Sequence, residues 1–253
     1  MFTDEQFELL EEEEFEITEE SILIMIALLA VTKTDLEKEL RNFYQKYGKD
    51  GVVTYQEARK WVDEKDRRKR MTVLFLAVGA AFDSAFTKVS SQFEKSLREV
   101  LAKERDFFNT NFDIDDILSK KWGEDNRNWY VRLEDDVNLW KIRIANDIKQ
   151  SLLCGESISD VLEQLDKRFK SIDNVITSLG ISEASAYNSL ARKEIFNLIG
   201  VTKYRFYTRP DERRCETCGA MHEQIFPMSA YEVGVTASPL HPRCRCWEVP
   251  ILE

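Results

Sequence analysis

Proline is missing from the first 209 residues of this 253-residue chain; all five prolines fall between Pro210 and Pro250. Glycine is scarce as well, at nine. A body so short of turn-formers excludes a turn-rich β architecture and favours helix, because both residues break helices. Histidine is scarcer still. The only two are His222 and His241, which leaves upstream serines and cysteines without an imidazole nearby in sequence and gives no Ser/His or Cys/His catalytic arrangement. Long apolar runs are missing too: the strongest, Ile22 to Val31, has ten residues, about half the length that crosses a bilayer. It reads as a core helix or a partner-binding helix. Lysine and arginine are absent from the first 20 positions, the opposite of a cationic signal-peptide start, so the chain reads as cytoplasmic at synthesis.

Those same positions carry ten acids between Asp4 and Glu20, which account for the whole net charge of −10; the remainder balances at 36 basic against 36 acidic side chains. An acidic total therefore says little against nucleic-acid contact elsewhere in the chain. The acidic run itself reads as a frayed, solvated terminus or as a docking tail for a basic partner. With 43% apolar residues the chain can bury a real core.

Two helix starts are written as capping boxes, Thr34-Asp35-Leu36-Glu37 and Thr54-Tyr55-Gln56-Glu57, where hydroxyl and carboxylate satisfy each other's orphan backbone donors. The first opens a helix with Leu36, Leu40, Phe43, Tyr44 and Tyr47 on one stripe and a stop near Gly48. The second carries Ala58, Trp61 and Val62 into a basic cluster, Lys65 to Arg70, which reads as a solvated helix face or a phosphate or partner contact. From Met71 to Phe108, Val78, Phe82, Phe86, Val89, Phe93, Leu97 and Val100 recur at three- and four-residue steps, the period of a long amphipathic helix. After a polar stretch, Lys120 to Asn128, the period returns in Leu133, Val137, Trp140, Ile144, Ile148 and Leu152, and Gly155 ends that helix. Ser159 to Phe169 and Ser182 to Ile199 complete the series, closed by Gly200 as a left-handed C-cap residue. Cys154, alone at a helix end, reads as a small packed side chain.

The expected fold class is therefore mainly α. An acidic segment with an apolar helix (1–33) leads into a helical body (34–200), expected to be elongated because its stripes are long and its linkers polar. A small α+β module (201–253) follows, where the prolines gather and Lys203 to Thr208 alternates as a strand.

That module carries the chemistry. Cys215, Cys218, His222, His241, Cys244 and Cys246 lie within 32 residues. Two thiols separated by two residues can face one ion, and His241-x-x-Cys244-x-Cys246 offers three further donors. The pattern points to structural zinc held by Cys215, Cys218 and two of His241, Cys244 and Cys246. Packed thiols without metal and a disulfide pair are the alternatives, the latter disfavoured in a reducing compartment. His222, four residues beyond Cys218, reads equally as a bystander. A zinc deaminase would place His-x-Glu ahead of Pro-Cys-x-x-Cys, and His222-Glu223 fails as a zinc-protease motif because Phe226 stands where a second histidine is needed. The chain is read as non-enzymatic. Arg205, Arg209, Arg213, Arg214, Arg243 and Arg245 form a basic set suited to weak, sequence-independent DNA phosphate binding, or to ion pairs with Asp211, Glu212, Glu216 and Glu248.

The stretch Arg209-Pro210-Asp211-Glu212-Arg213-Arg214-Cys215-Glu216-Thr217-Cys218, carried on through Ile225-Phe226 to Pro239-Leu240-His241-Pro242-Arg243-Cys244-Arg245-Cys246, resembles the phage Mu F-like head morphogenesis family. Phe43 to Tyr47, Tyr55 to Arg59 and Asp147 to Gly155 are similar to minor head proteins of tailed phages of Gram-positive hosts, so the resemblance spans about residues 35–250. Arg192-Lys193-Glu194 departs from the family's Arg-Thr-Glu, Ser238-Pro239 from its Pro-Pro, and Glu223 replaces a common glycine. The resemblance implies a minor structural protein of the phage head. Such a protein associates with the portal protein during capsid assembly, meets other head proteins, stays inside the virion, and contacts packaged DNA or affects its ejection. No membrane is implied. The alternative from another class is a zinc-dependent DNA-binding or nuclease-like module on a helical stalk. A gene position between those for a portal and a major capsid protein would favour the head role.

Overall fold

The computed structural model describes residues 3–54, 65–209 and 214–252, with side chains omitted for 65–73. Within them the chain is mainly helical. Helices α1 (Asp4–Tyr47), α2 (Lys65–Phe107), α3 (Ile114–Ser119), α4 (Trp129–Cys154) and α5 (Ile158–Leu198) precede a small module. The module comprises strand β1 (Lys203–Thr208), helix α6 (Glu216–Met221), strand β2 (Ile225–Pro227), a 3-10 turn (Met228–Ala230) and strand β3 (Cys246–Ile251). The Thr54 capping box and the Ala58, Trp61 and Val62 stripe run into residues outside those described, as do the side chains of the Lys65–Arg70 cluster.

Several boundaries follow the sequence. Gly155 and Gly200 stand at φ of 70° and 75° behind α4 and α5, the left-handed geometry that ends a helix without a Cβ penalty. Others differ. The acidic start is no frayed terminus: it forms the first turns of α1 and places Phe7 and Leu10 in the core, 1% and 5% exposed. Nor does Thr34 start a helix. Its Oγ donates to the Ala30 carbonyl at 3.0 Å, bonding back to the preceding turn as interior threonines do, and α1 runs on to Tyr47. The two expected segments 159–169 and 182–199 are one helix, α5, continuous through Gly180. Its real start is a reciprocal cap, with Ser157 Oγ accepting from the Asp160 N–H and Asp160 accepting from the Ser157 N–H. Cys154 is exposed rather than packed, because the phase that buries Leu152 turns position 154 outward.

The chain gathers into two compact units: residues 1–23, 92–132 and 176–253 form the first, and 24–91 and 133–175 the second. The second is filled by apolar stripes, among them Met25, Leu36, Leu40, Val78, Phe82, Val137, Trp140, Ile144 and Phe169. Phe82 stacks on Phe169 at 6.0 Å. Burying such side chains contributes about 1.5–3 kcal/mol each. In the first unit a chain of ring contacts links α1, the turn that follows α2, α5 and the module: Phe7 with Phe108 at 5.7 Å, Phe108 with Phe196 at 5.9 Å, Phe196 with Tyr231 at 6.3 Å, and Tyr231 with Tyr204 at 4.6 Å. The module's sheet is antiparallel in the order β2-β1-β3. Tyr204, Phe206 and Thr208 of β1 point to its buried face, and Thr208 pairs with Cys246 of β3, so the register delivers the last cysteine to the end of the central strand.

Candidate metal centre

The cysteine cluster assembles from three local devices. Cys215 caps α6, its sulfur accepting from the Cys218 N–H at 3.4 Å, so one helical turn presents both thiols to the same side. Across from them His241 Nε2 lies 3.2 Å from Cys215 Sγ and 3.1 Å from Cys218 Sγ. Its other ring nitrogen stands 2.8 Å from the Pro242 carbonyl; donating there fixes the tautomer that turns the Nε2 lone pair toward the sulfurs. Cys244 Sγ is 3.7 Å from Cys218 Sγ, and both are buried. Cys246, the first residue of β3, completes a second triad. The ligand atoms therefore fall into two groups, Cys215-Cys218-His241 and Cys218-Cys244-Cys246, each within 4.8 Å and sharing Cys218.

The donor set fits zinc in kind. Tetrahedral zinc with bonds of about 2.3 Å to sulfur and 2.0–2.1 Å to nitrogen has ligand–ligand edges of roughly 3.5–3.8 Å; Cys218 and Cys244 stand at that separation, the sulfur–nitrogen contacts are shorter, and Cys244 does not lie within 4.8 Å of both Cys215 and His241. Phe206, Met221, Phe226 and Leu240 pack around the sulfurs, and such an apolar wall keeps competing water away. The Cys218 N–H holds the Cys215 thiol below its ordinary range, and the Cys218 and Cys246 thiols hold Cys244 below it, against the opposing effect of burial. Both shifts favour the thiolate, the metal-binding form, while the contact with Cys244 and burial push the Cys218 and Cys246 thiols up. His222 is engaged elsewhere: its Nδ1 accepts from the Thr208 N–H at 3.3 Å and its ring meets the edge of Tyr207.

The arginines are only partly gathered. Arg209, Arg214, Arg243 and Arg245 line a cavity of about 460 Å³ beside Cys215 and His241. Arg205 instead donates to the Tyr207 hydroxyl at 3.1 Å, which donates to Asp4 at 2.9 Å. Arg213 lies outside the described residues, as do Asp211 and Glu212. The expected pairing with Glu248 does not occur, because that carboxylate is fully buried and accepts from Ser189 Oγ, the Tyr231 hydroxyl and the Ser238 N–H. Burial pushes it up to about 7. Acids that do meet this face come from α1: Glu12 reaches Arg209 at 3.4 Å, and Phe15 lies under Arg209 and Arg245 at 5.2 and 6.0 Å.

A second polar centre was not among the sequence candidates. Arg192, 1% exposed, donates through Nε to Glu104 Oε1 at 2.7 Å and sets Nη2 2.5 Å from Glu11 Oε1. The signal was available in the periodicity. Glu104 continues the stripe of Phe93, Leu97 and Val100, and Glu14 that of Phe7 and Leu10; a charge standing at a core position must find a partner.

Residues 142–249 match the family model described as Phage Mu protein F like protein. That stretch is Mu F-like. No curated protein and no solved structure matches the chain. The Mu F-like stretch takes in the second half of α4, all of α5 and the module as far as Val249, and so includes Arg192 and all five candidate zinc ligands. Of the similarities seen upstream in sequence, Asp147 to Gly155 lies inside it, whereas Phe43 to Tyr47 and Tyr55 to Arg59 do not. No helix among the described residues is long and apolar enough to cross a membrane.

Proposed function

We propose that this protein is a minor, non-enzymatic structural component of a tailed-phage head, which associates with the portal protein during capsid assembly in the host cytoplasm and then resides inside the virion. The Mu F-like match over residues 142–249 carries the reading. Zinc is the proposed cofactor, held by Cys215, Cys218, His241 and Cys244, the contiguous set of close contacts, with Cys246 within 4.8 Å of Cys218 and Cys244 as the alternative fourth ligand. Its role is structural. A module of some fifty residues buries too little surface to be robust alone, and a metal joining α6 to the loop before β3 closes it. The arginines lining the cavity beside Cys215 are suited to weak contact with DNA phosphates, a contact through which the protein acts on packaged DNA or its ejection.

Co-expression with the cognate portal protein should yield a co-purifying complex, and procapsids made without this chain should form but be less infectious; failure of both overturns the head role. Elemental analysis of reduced protein purified without a nickel tag should find about one zinc per chain. Metal-free, folded protein would remove the zinc from the proposal.

A further inference from the structure

In the interior of the first unit, Glu11 and Glu14 of α1 and Glu104 of α2 each bring one carboxylate oxygen within 4.8 Å of the other two. Arg192 answers them, bonded to Glu104 and Glu11 but 3.9 Å from Glu14. One guanidinium against three carboxylates leaves two negative charges where Glu14 and Glu104 are 2% and 0% exposed. An interior does not hold such an excess without further positive charge.

A second, independent sign lies beside the carboxylates. Asn188 of α5, 8% exposed, donates through Nδ2 to Glu14 at 2.7 Å, but its Oδ1 is buried without a partner. Glu14 Oε1, Glu104 Oε2 and Trp247 Nε1 are orphaned in the same way. Glu11, Glu14, Asn188 and Trp247 line one cavity of about 280 Å³, which Arg209, paired with Glu12, and Arg245, over the Phe15 ring, also reach. Three orphaned oxygen acceptors and one neutral N–H call for contents that carry positive charge, take oxygen ligands and include water.

We propose that this cluster is a site for a partly hydrated divalent cation of the hard, oxygen-preferring kind, magnesium or calcium, held by Glu11, Glu14, Glu104 and Asn188 Oδ1. The donors are all oxygens, the set these ions select and zinc does not. Two positive charges close the balance among Glu11, Glu14 and Glu104 that Arg192 leaves open, Arg209 being engaged by Glu12. The cavity has room for several waters at about 30 Å³ each, so the ion keeps part of its hydration shell, and one such water gives Trp247 Nε1 an acceptor. The ion fastens the acidic start of α1 to α2 and α5. Without it the missing charge comes from protons, as the raised carboxyl of Glu14, pushed up by burial, indicates.

The test uses full-length, zinc-loaded protein titrated separately with calcium chloride and magnesium chloride, followed by calorimetry and thermal unfolding. Wild type and the surface control Glu16→Gln/Glu20→Gln should each bind one ion saturably, with a Tm rise of roughly 5–10 °C at a hundredfold excess over Kd. Glu14→Gln keeps the shape and the bond to Asn188 while removing one buried charge. It should fold, be at least as stable as wild type without divalent ions, and bind at least tenfold more weakly. Glu104→Gln repeats the test should Glu14→Gln fail to fold. The site is overturned if wild type shows neither saturable heat nor a Tm shift with millimolar amounts of either ion, or if the Gln variants respond as wild type does. A Tm that answers to pH alone assigns the charge to protons and overturns it equally.

Discussion

The two compact units are stabilised by different means. In the second, the buried polar side chains among the described residues are Thr32 and Ser151, and its charges meet near the surface, as Lys141 does with Asp83 at 2.5 Å and Arg168 with Asp147 at 2.7 Å. The first contains all five buried charged side chains of the described residues, Glu14, Glu104, Glu183, Arg192 and Glu248, together with the cysteine cluster. A core of apolar stripes accepts many sequences of about the right volume. A core of ions and thiols works only when each group meets its partner, since an unpaired one costs its full desolvation. The Mu F-like stretch includes Arg192, Glu183, Glu248 and all the candidate zinc ligands, while Glu14 and Glu104 are supplied from outside it.

The largest effect should follow Cys215→Ser. Structural zinc binding in small peptides is worth roughly 10–16 kcal/mol and is not separable from folding, so the variant should lose its zinc and residues beyond about 205 should lose protection in hydrogen exchange. The second unit should keep native protection. If both units unfold together, the contrast between them is not one of independent stability.

Next in size is Arg192→Met, which leaves the buried Glu14 and Glu104 and the half-buried Glu11 without their cation and should destabilise by about 3–5 kcal/mol in denaturant unfolding. A loss under about 1 kcal/mol would mean that protons or a cation already carry the balance. The pH response should differ between the units. Burial raises Glu11 to about 7 and raises Glu183, so the native state keeps protons that the unfolded chain releases above the ordinary carboxyl value of 4.5. That stability is fully present below 4.5 and is lost as pH rises through about 7. In the second unit Lys33 holds the exposed Asp166 down to about 2, a small contribution lost only as pH falls toward that value. Local protection by hydrogen exchange in buffer without calcium or magnesium should therefore fall from pH 6 to 8 in the first unit more than in the second, where burial also raises Asp136 and Asp173. Lys141→Ala marks the lower end, with an expected change of less than about 1 kcal/mol because Asp83 is solvated; a larger loss would show that surface pairs also hold the second unit.

Much of this could be read before any coordinates. The stripe from Leu133 to Leu152 is buried throughout, β1 falls on the alternating Lys203 to Thr208, and the Cys215, Cys218 and His241 contacts fall where the metal spacing put them. What escaped depends on partners distant in sequence. Thr34 looks like a cap because its local pattern is one, yet the packing of Leu29, Leu36 and Leu40 carries α1 straight through it. The acidic run looks solvated because its charges are counted without phase; with phase, Phe7, Leu10 and Glu14 share one buried face. The arginine set looks basic because its acids are sought nearby, while Glu12 and Asp4 arrive from nearly 200 residues away.

The sequence by itself determined the helical class, the helix stops at Gly155 and Gly200, the metal-donor types and the Mu F-like character of the C-terminal stretch. Each of these rests on local spacing or short-range backbone chemistry, which needs no partner from elsewhere in the chain. Only the tertiary structure decided that Cys244 approaches Cys218, that the arginines meet an acidic helix, and that Arg192 stands among Glu11, Glu14 and Glu104. Those are long-range pairings, and their free energy exists only once helices far apart in the sequence have packed and excluded water from between them.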